Sequence, residues 1–146
     1  YSYEAVTSIP VTVAFCSSLE PGSGAEKMLD GDPSTMWHTL YSVTVANYPH
    51  WIDFDANEEV TIKGFKYMPR QDGGNNGNVK GYKLQISADG KNWSDPVAEG
   101  ELPYSSEMQT VLFKAPVKAR FVRFTATSSQ NGQDFGSGAE FELIKE

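Results

Sequence analysis

Residues 79–93 read V-K-G-Y-K-L-Q-I-S-A-D-G-K-N-W. Tyr82, Leu84, Ile86 and Ala88 recur at every second position, the period of a strand with one buried face. Asp89-Gly90 then marks a tight turn, and Trp93 stands just beyond it. The same pattern continues on either side. Upstream, 50–55 places Ile52 and Phe54 on one face, and 59–69 forms a second long strand. In that strand Val60 and Ile62 share one parity and Phe65 and Tyr67 the other. The slip falls at Gly64, which predicts a bulge. Downstream, 109–114 and 117–127 read as two strands joined across Pro116, and 139–145 as a last one. Near the start, 11–16 sets Val11, Val13 and Phe15 against Thr12, Ala14 and Cys16. Between the strands lie turn-rich segments, with room for a single helical turn at 25–29; 99–108 reads as loop, and 40–48 is hard to assign. Short strands separated by turn signals, with no helix-period segment of useful length, predict an all-β sandwich or barrel.

At 146 residues the chain is one domain of ordinary size. Residues 1–10 read as an irregular lead-in or linker, and 11–146 as the domain. The net charge of −7 argues against nucleic acid, which demands clustered Lys and Arg, and against anionic membrane surfaces. No apolar run is long enough to span a bilayer. Cys16 is alone, so no disulfide closes within the chain, and it reads as a small buried hydrophobe.

In such folds the loops gather at the sandwich ends and carry function. One of them holds His38 and Tyr41. A second, R-Q-D-G-G-N-N-G-N at 70–78, holds Arg70, Gln71, Asn75 and Asn76. The third holds Gln130, Asn131, Gln133, Asp134 and Phe135. Arg and Asn can fork hydrogen bonds onto vicinal hydroxyls while an aromatic ring packs on the C–H face of a pyranose. The plain alternative is a set of solvated polar loops. The stretch L-D-G-D-P-S-T-M-W-H at 29–38 offers Asp30, Asp32, Ser34 and Thr35 as hard oxygen ligands, which suit Ca²⁺. It is also a common turn sequence, and it fails the EF-hand spacing, with Thr35 where Gly is needed and Tyr41 where Glu is needed.

Six blocks carry a family resemblance: A-E-K-M-L-D-G-D-P-S-T-M-W-H, P-H-W-I-D-F-D, Y-M-P-R-Q, G-Y-K-L-Q-I-S-A-D-G-K-N-W, A-R-F-V-R-F and F-G-S-G-A-E-F-E-L. In this order they resemble the coagulation factor V/VIII C-type, or discoidin, superfamily, and within it the family 32 carbohydrate-binding modules. The resemblance covers nearly everything beyond Val11. It implies a β-sandwich jelly roll of the galactose-binding-domain type. It also implies one structural Ca²⁺, held by carboxylates of Asp30 and Glu140, by Thr35, and by carbonyls of Lys27, Asp32 and Ala139. For the sugar it implies His38, Tyr41, Arg70, Asn75 or Asn76, and Phe135. Trp37, Trp51 and Trp93 then read as scaffold, and Arg123 as half of a structural ion pair.

The expected function is a non-catalytic module recognising galactose- or N-acetylhexosamine-type glycans. It would be monomeric and tethered to a secreted, periplasmic or cell-surface bacterial enzyme such as a hexosaminidase. A discoidin-type adhesion module binding protein or lipid is the alternative, against which the polar loops and acidic charge speak. An enzyme is the other class, but no G-x-S-x-G, H-E-x-x-H or P-loop occurs.

Overall fold

The computed structural model describes residues 8–146. Nine strands occur among them: β1 (Ser8–Ile9), β2 (Thr12–Cys16), β3 (Trp37–His38), β4 (His50–Met68), β5 (Gly81–Ser87), β6 (Ala98–Glu101), β7 (Gln109–Ala126), β8 (Ser137–Gly138) and β9 (Glu140–Lys145). One 3-10 turn, Ala25–Leu29, lies between β2 and β3. All strand pairs are antiparallel. The main sheet has the order β1-β9-β4-β7-β5-β6, with β2 also on β4, while β3 and β8 form a separate two-stranded ribbon.

Two long strands make this a sandwich. β4 and β7 run side by side and are interrupted together: pairing stops after Asp55↔Phe121 and resumes at Val60↔Ala119. Asn57 sits in the gap at φ +70. Strands that pass from one sheet to the other do so at such irregularities. The halves then face each other. Phe54, before the gap, stacks on Phe141 of β9 at 4.5 Å between centroids, and β9 pairs with β4 only beyond the gap. Phe65, also beyond it, meets Phe124 at 5.6 Å. With Ile52, Ile62, Leu84, Val122 and Leu143 these rings fill the space between the layers. The result is the jelly-roll sandwich. Both ends of β4 return to one pole of the molecule, while the bend occupies the other, beside Ser8, Lys145 and Glu146.

The bulge at Gly64 is present as a register shift between Ile62 and Gly64. A Cβ there would lie 2.2 Å from the carbonyl oxygen of Val111, so the close approach of β7 requires glycine. Several boundaries differ from the sequence reading. Residues 1–7 of the lead-in lie outside the described residues, but Ser8 and Ile9 pair with Ile144 and Leu143 and belong to the sheet. β2 carries a bulge between Val13 and Phe15, so its alternation breaks. Cys16 packs against the core and Phe15 turns outward, 51% exposed. The strands at 50–55 and 59–69 are one strand, as are 109–114 and 117–127. Pro116, which has no N–H to give, falls in the unpaired stretch between Leu112 and Val117. The sequence places 99–108 in a loop because A-E-G-E has no apolar face, whereas the structure makes β6 an exposed edge strand.

Candidate functional site

The irregular pole carries two clusters, joined by the β3–β8 ribbon. In the ribbon Trp37 pairs with Gly138 and His38 with Ser137. Trp37 is fully buried and donates its indole N–H to the carbonyl of Ser18 at 2.9 Å. Tyr67, also fully buried, donates to the Ser137 carbonyl at 2.5 Å and accepts from the Val79 amide at 3.1 Å. These two anchors fix the ribbon to the core. Thr35 precedes it on one strand and Glu140 follows it on the other.

His38 lies inside the ribbon rather than in the loop. Its Nδ1 is 2.7 Å from the carbonyl oxygen of Thr39. A carbonyl only accepts, so Nδ1 carries the proton, and in the neutral ring Nε2 is left as a bare acceptor. Burial pushes the imidazole pKa below its ordinary value, and the charge of Arg70 adds to this against the opposing hydrogen bond to Thr39. Tyr41 meets the ring edge-on at 4.9 Å between centroids, and Phe135 lies at 5.5 Å. The Tyr41 loop is held by Glu20, whose Oε1 accepts the amides of Tyr41 and Ser42 at 3.0 Å each. The Phe135 loop is held from below. Tyr48 donates its hydroxyl to the Phe135 carbonyl. His50 Nε2 donates to the Asp134 carbonyl at 2.6 Å. Thr39 and Gly136 exchange two bonds, Thr39 N to Gly136 O at 2.9 Å and Gly136 N to Thr39 Oγ1 at 3.0 Å.

Arg70 faces His38 across a cavity of about 380 Å³, to which Tyr41, Asn76 and Phe135 also contribute. Its Nε and Nη2 bind Asp72 at 2.9 and 2.6 Å, and Nη1 donates to the Asn76 carbonyl at 3.1 Å. Three of five N–H groups are thereby used, leaving one on each Nη. The whole fork is therefore not free, as the bare sequence implied; Asp72 takes its Nε side. Asn76 accepts at its Oδ1 from Asn131 Nδ2 at 2.8 Å. The structure thus brings five of the six expected residues together. Asn75 is the exception: it lines a neighbouring cavity, and its amide donates to the hydroxyl of Tyr104 at 3.3 Å. Ser23, Met36 and Asp72 also line the His38 cavity. Asp72, two residues past Arg70, had a sequence signal in that spacing.

The second cluster is an oxygen cage. Thr35 Oγ1 lies 3.3 Å from the Lys27 carbonyl and 3.0 Å from the Asp32 carbonyl, and in contact with Asp30 Oδ2. One hydroxyl proton cannot serve three acceptors. The Asp32 carboxylate points elsewhere, accepting the Ser34 amide at 2.9 Å and its hydroxyl at 2.6 Å. Ala139 is fully buried beside Glu140. Glu140 itself is only 8% exposed, and its Oε1 has no hydrogen-bond partner. Burial, and then the charge of Asp30, push its carboxyl up to about 7. No group of three or more His, Cys, Asp or Glu suited to a metal occurs among the described residues. The set is instead a surplus of carbonyl, hydroxyl and carboxylate lone pairs, the donor chemistry of a hard cation.

The scaffold residues are as read from the sequence. Arg123 pairs bidentately with Asp53 at 2.7 and 3.0 Å. Its guanidinium lies between Trp93, at 4.4 Å from the ring centroid, and Trp51, at 5.6 Å.

The F5/8 type C domain profile matches residues 12–141. Among curated proteins, the chain is 38% identical over 120 residues to a sialidase of Micromonospora viridifaciens, covering 82% of this chain and 18% of that protein. It is 34% identical over 131 residues to a galactose oxidase of Gibberella zeae, covering 89% and 19%. The chain thus spans about a fifth of the curated relatives it matches. Among solved structures, the family 32 module of Clostridium perfringens NanJ in complex with galactose superposes with a TM-score of 0.83 at 27% identity, covering 95% of this chain and 98% of that one. A family 32 module from the same organism, in complex with GalNAc-β-1,3-galactose, gives 0.84 at 30% identity, covering 94% and 99%.

Proposed function

The chain belongs to the F5/8 type C domain family, and on that premise we propose that it is a non-catalytic carbohydrate-binding module for galactose- and N-acetylhexosamine-type sugars. One observation carries the reading. His38, Arg70 and Asn76 converge with the rings of Tyr41 and Phe135 on a single cavity. In it the bare Nε2 of His38 accepts from a sugar hydroxyl, an axial one in galactose. The spare N–H groups of Arg70 and the side-chain amide of Asn76 donate to neighbouring hydroxyls. The rings cover the apolar face. An open site of this kind binds weakly, with Kd on the order of 0.1–1 mM.

The module is of the kind appended to glycoside-active enzymes. The finer reading is a hexosaminidase exported by a bacterium, with a monomeric module acting on glycans rather than on membranes. The oxygen cage supports one structural Ca²⁺. Asp30, Thr35 and Glu140 would hold it together with the carbonyls of Lys27, Asp32 and Ala139, its charge neutralising the two carboxylates.

An NMR titration with galactose, N-acetylgalactosamine and N-acetylglucosamine tests the site. Wild-type shifts should map to His38, Arg70 and Phe135. Arg70→Lys loses the planar donor edge, and Phe135→Ala loses about 1 kcal/mol. Shifts on another surface, or both variants binding as wild type, would overturn the assignment.

A further inference from the structure

Arg70 lines a second cavity as well, of about 300 Å³, on its other side. Its walls are the loop carrying Asn75 and the loop carrying Tyr104, with Asn78 and Gln130 between them. These loops are braced against each other. Gln71 Nε2 donates to the carbonyls of Pro69 and Ser106, both at 2.7 Å. Gln130 Nε2 lies 2.9 Å from the Leu102 carbonyl and 3.2 Å from those of Val79 and Pro103. The cavity is therefore formed before any ligand arrives, so little ordering remains to be done on binding. Two features of its lining stand out. Tyr104 is 71% exposed, a large ring left in solvent. Asn78 is only 9% exposed, yet its Oδ1 has no hydrogen-bond partner. That oxygen is itself closed to solvent, so the group the cavity offers to a ligand is the exposed Tyr104 ring, with the amide side chains around it.

The geometry points to a second sugar subsite: the Tyr104 cavity takes the next residue of an oligosaccharide whose terminal residue sits at His38. This rests on the sugar reading of the His38 cavity. An aromatic ring beside amide side chains is the chemistry that recognises a pyranose. The two cavities are contiguous through Arg70. A Cβ at Gly74 would lie 3.2 Å from the guanidinium carbon, so the loop crosses directly over it. The consecutive residues Asn75 and Asn76 line one cavity each, and Asn131 Nδ2 donates to the Oδ1 of both, at 3.3 and 2.8 Å. The subsite makes this module a reader of disaccharide units, with linkage selected by the step across Arg70.

The test is isothermal titration and NMR mapping with galactose and N-acetylgalactosamine, alone and as the terminal residue of di- and trisaccharides in β1,3, β1,4 and β1,6 linkage. At least one linkage should bind about three- to tenfold tighter than its terminal monosaccharide, with shifts at Tyr104 and Asn78. Tyr104→Ala should erase that gain and leave monosaccharide affinity unchanged, and Tyr104→Phe should keep it. If monosaccharides bind at His38 but no linkage adds affinity or moves Tyr104, the subsite is overturned and the primary site stands. An equal loss of monosaccharide and oligosaccharide binding in Tyr104→Ala also overturns it, because the ring is then only a prop. If no monosaccharide shifts His38 or Arg70, it is the primary reading that fails.

Discussion

Arg70 and Asp72 form a two-pronged pair, 2.6 Å at its shorter contact, with the arginine side chain 16% and the aspartate 46% exposed. The pair aims the remaining N–H groups of Arg70 into the His38 cavity. Arg70 in turn holds the Asp72 carboxyl down to about 2. Such a lowered acid contributes in full above its unfolded pKa of about 3.9 and is lost only as pH falls through about 2. At this exposure the contribution to folding is small. Asp72→Asn should therefore weaken sugar binding roughly three- to tenfold while the melting temperature moves by no more than a few degrees. Unchanged affinity in a titration of this variant would show that Asp72 does not position Arg70.

The pH dependence of binding should come from His38. Its folded pKa lies below the ordinary value because of burial, and that of His50 is lowered for the same main reason. The unfolded chain takes up these protons near pH 6.5, before the folded chain does. Both groups therefore contribute nothing unfavourable above ~6.5, and folding stability declines as pH falls from there through their lower folded values. Sugar affinity should hold at pH 6.5 and fall only below it, when Nε2 of His38 gains a proton and can no longer accept. Melting temperature and affinity measured from pH 7.5 to 4.5 test both statements. An affinity independent of pH across that range would remove His38 from the site.

Chelation tests the oxygen cage. EDTA should lower the melting temperature and added Ca²⁺ restore it; a ligand at 100 times its Kd contributes about 2.7 kcal/mol, several degrees for a domain of this size. Glu140→Gln separates charge repulsion from metal binding. It removes a buried carboxylate, so the chelated variant should melt above the chelated wild type, yet it should not respond to Ca²⁺. Because Thr35 and Glu140 flank the β3–β8 ribbon, chelation should also weaken sugar binding at His38. A wild type indifferent to EDTA in both measurements would refute the calcium reading.

Gly77 tests how the loops are stacked. It has φ +88, and a Cβ there would lie 2.7 Å from the backbone of Gly136 and Ser137. The Arg70–Asn76 loop thus rests directly on the segment carrying Phe135. Gly77→Ala should cost about 1–3 kcal/mol in stability and displace Arg70 from Phe135, reducing sugar affinity at temperatures where the variant is folded. Gly132→Ala is a control, with a similar φ of +77 but no atom within 4 Å of its added Cβ. It should lose some stability and leave affinity intact.

Residues whose neighbours in sequence are also their neighbours in space were legible. The alternation of Tyr82, Leu84 and Ile86 and the phase slip at Gly64 report local geometry and hold in β5 and β4, although Ala88, expected on the same face, lies past the end of β5 and is exposed. The continuity of β4 and of β7 was not legible, because the bend depends on two strands losing pairing together, which neither segment shows alone. Loop composition alone marks Arg70 and His38 as candidates, and the resemblance of blocks is what gives each a role at a sugar. Asn75 and Asn76 are indistinguishable in the sequence, since which cavity each lines depends on Asn131 and Tyr104, both distant along the chain. Glu20 was invisible: a glutamate in a turn-rich stretch carries no sign that it caps the Tyr41 loop.

The bend in β4 and β7 has a consequence for attachment. Ser8 and Glu146 lie beside it, at the pole opposite the His38 cavity. A polypeptide continuing beyond Glu146 would leave the module like the stem of a cup whose mouth faces away. A neighbouring catalytic domain would then sit behind the module, where it blocks no glycan, and the stem would set the reach. Weak single-site affinity becomes useful there as an effective concentration, which depends on the length and stiffness of that stem and not on the contacts inside the cup.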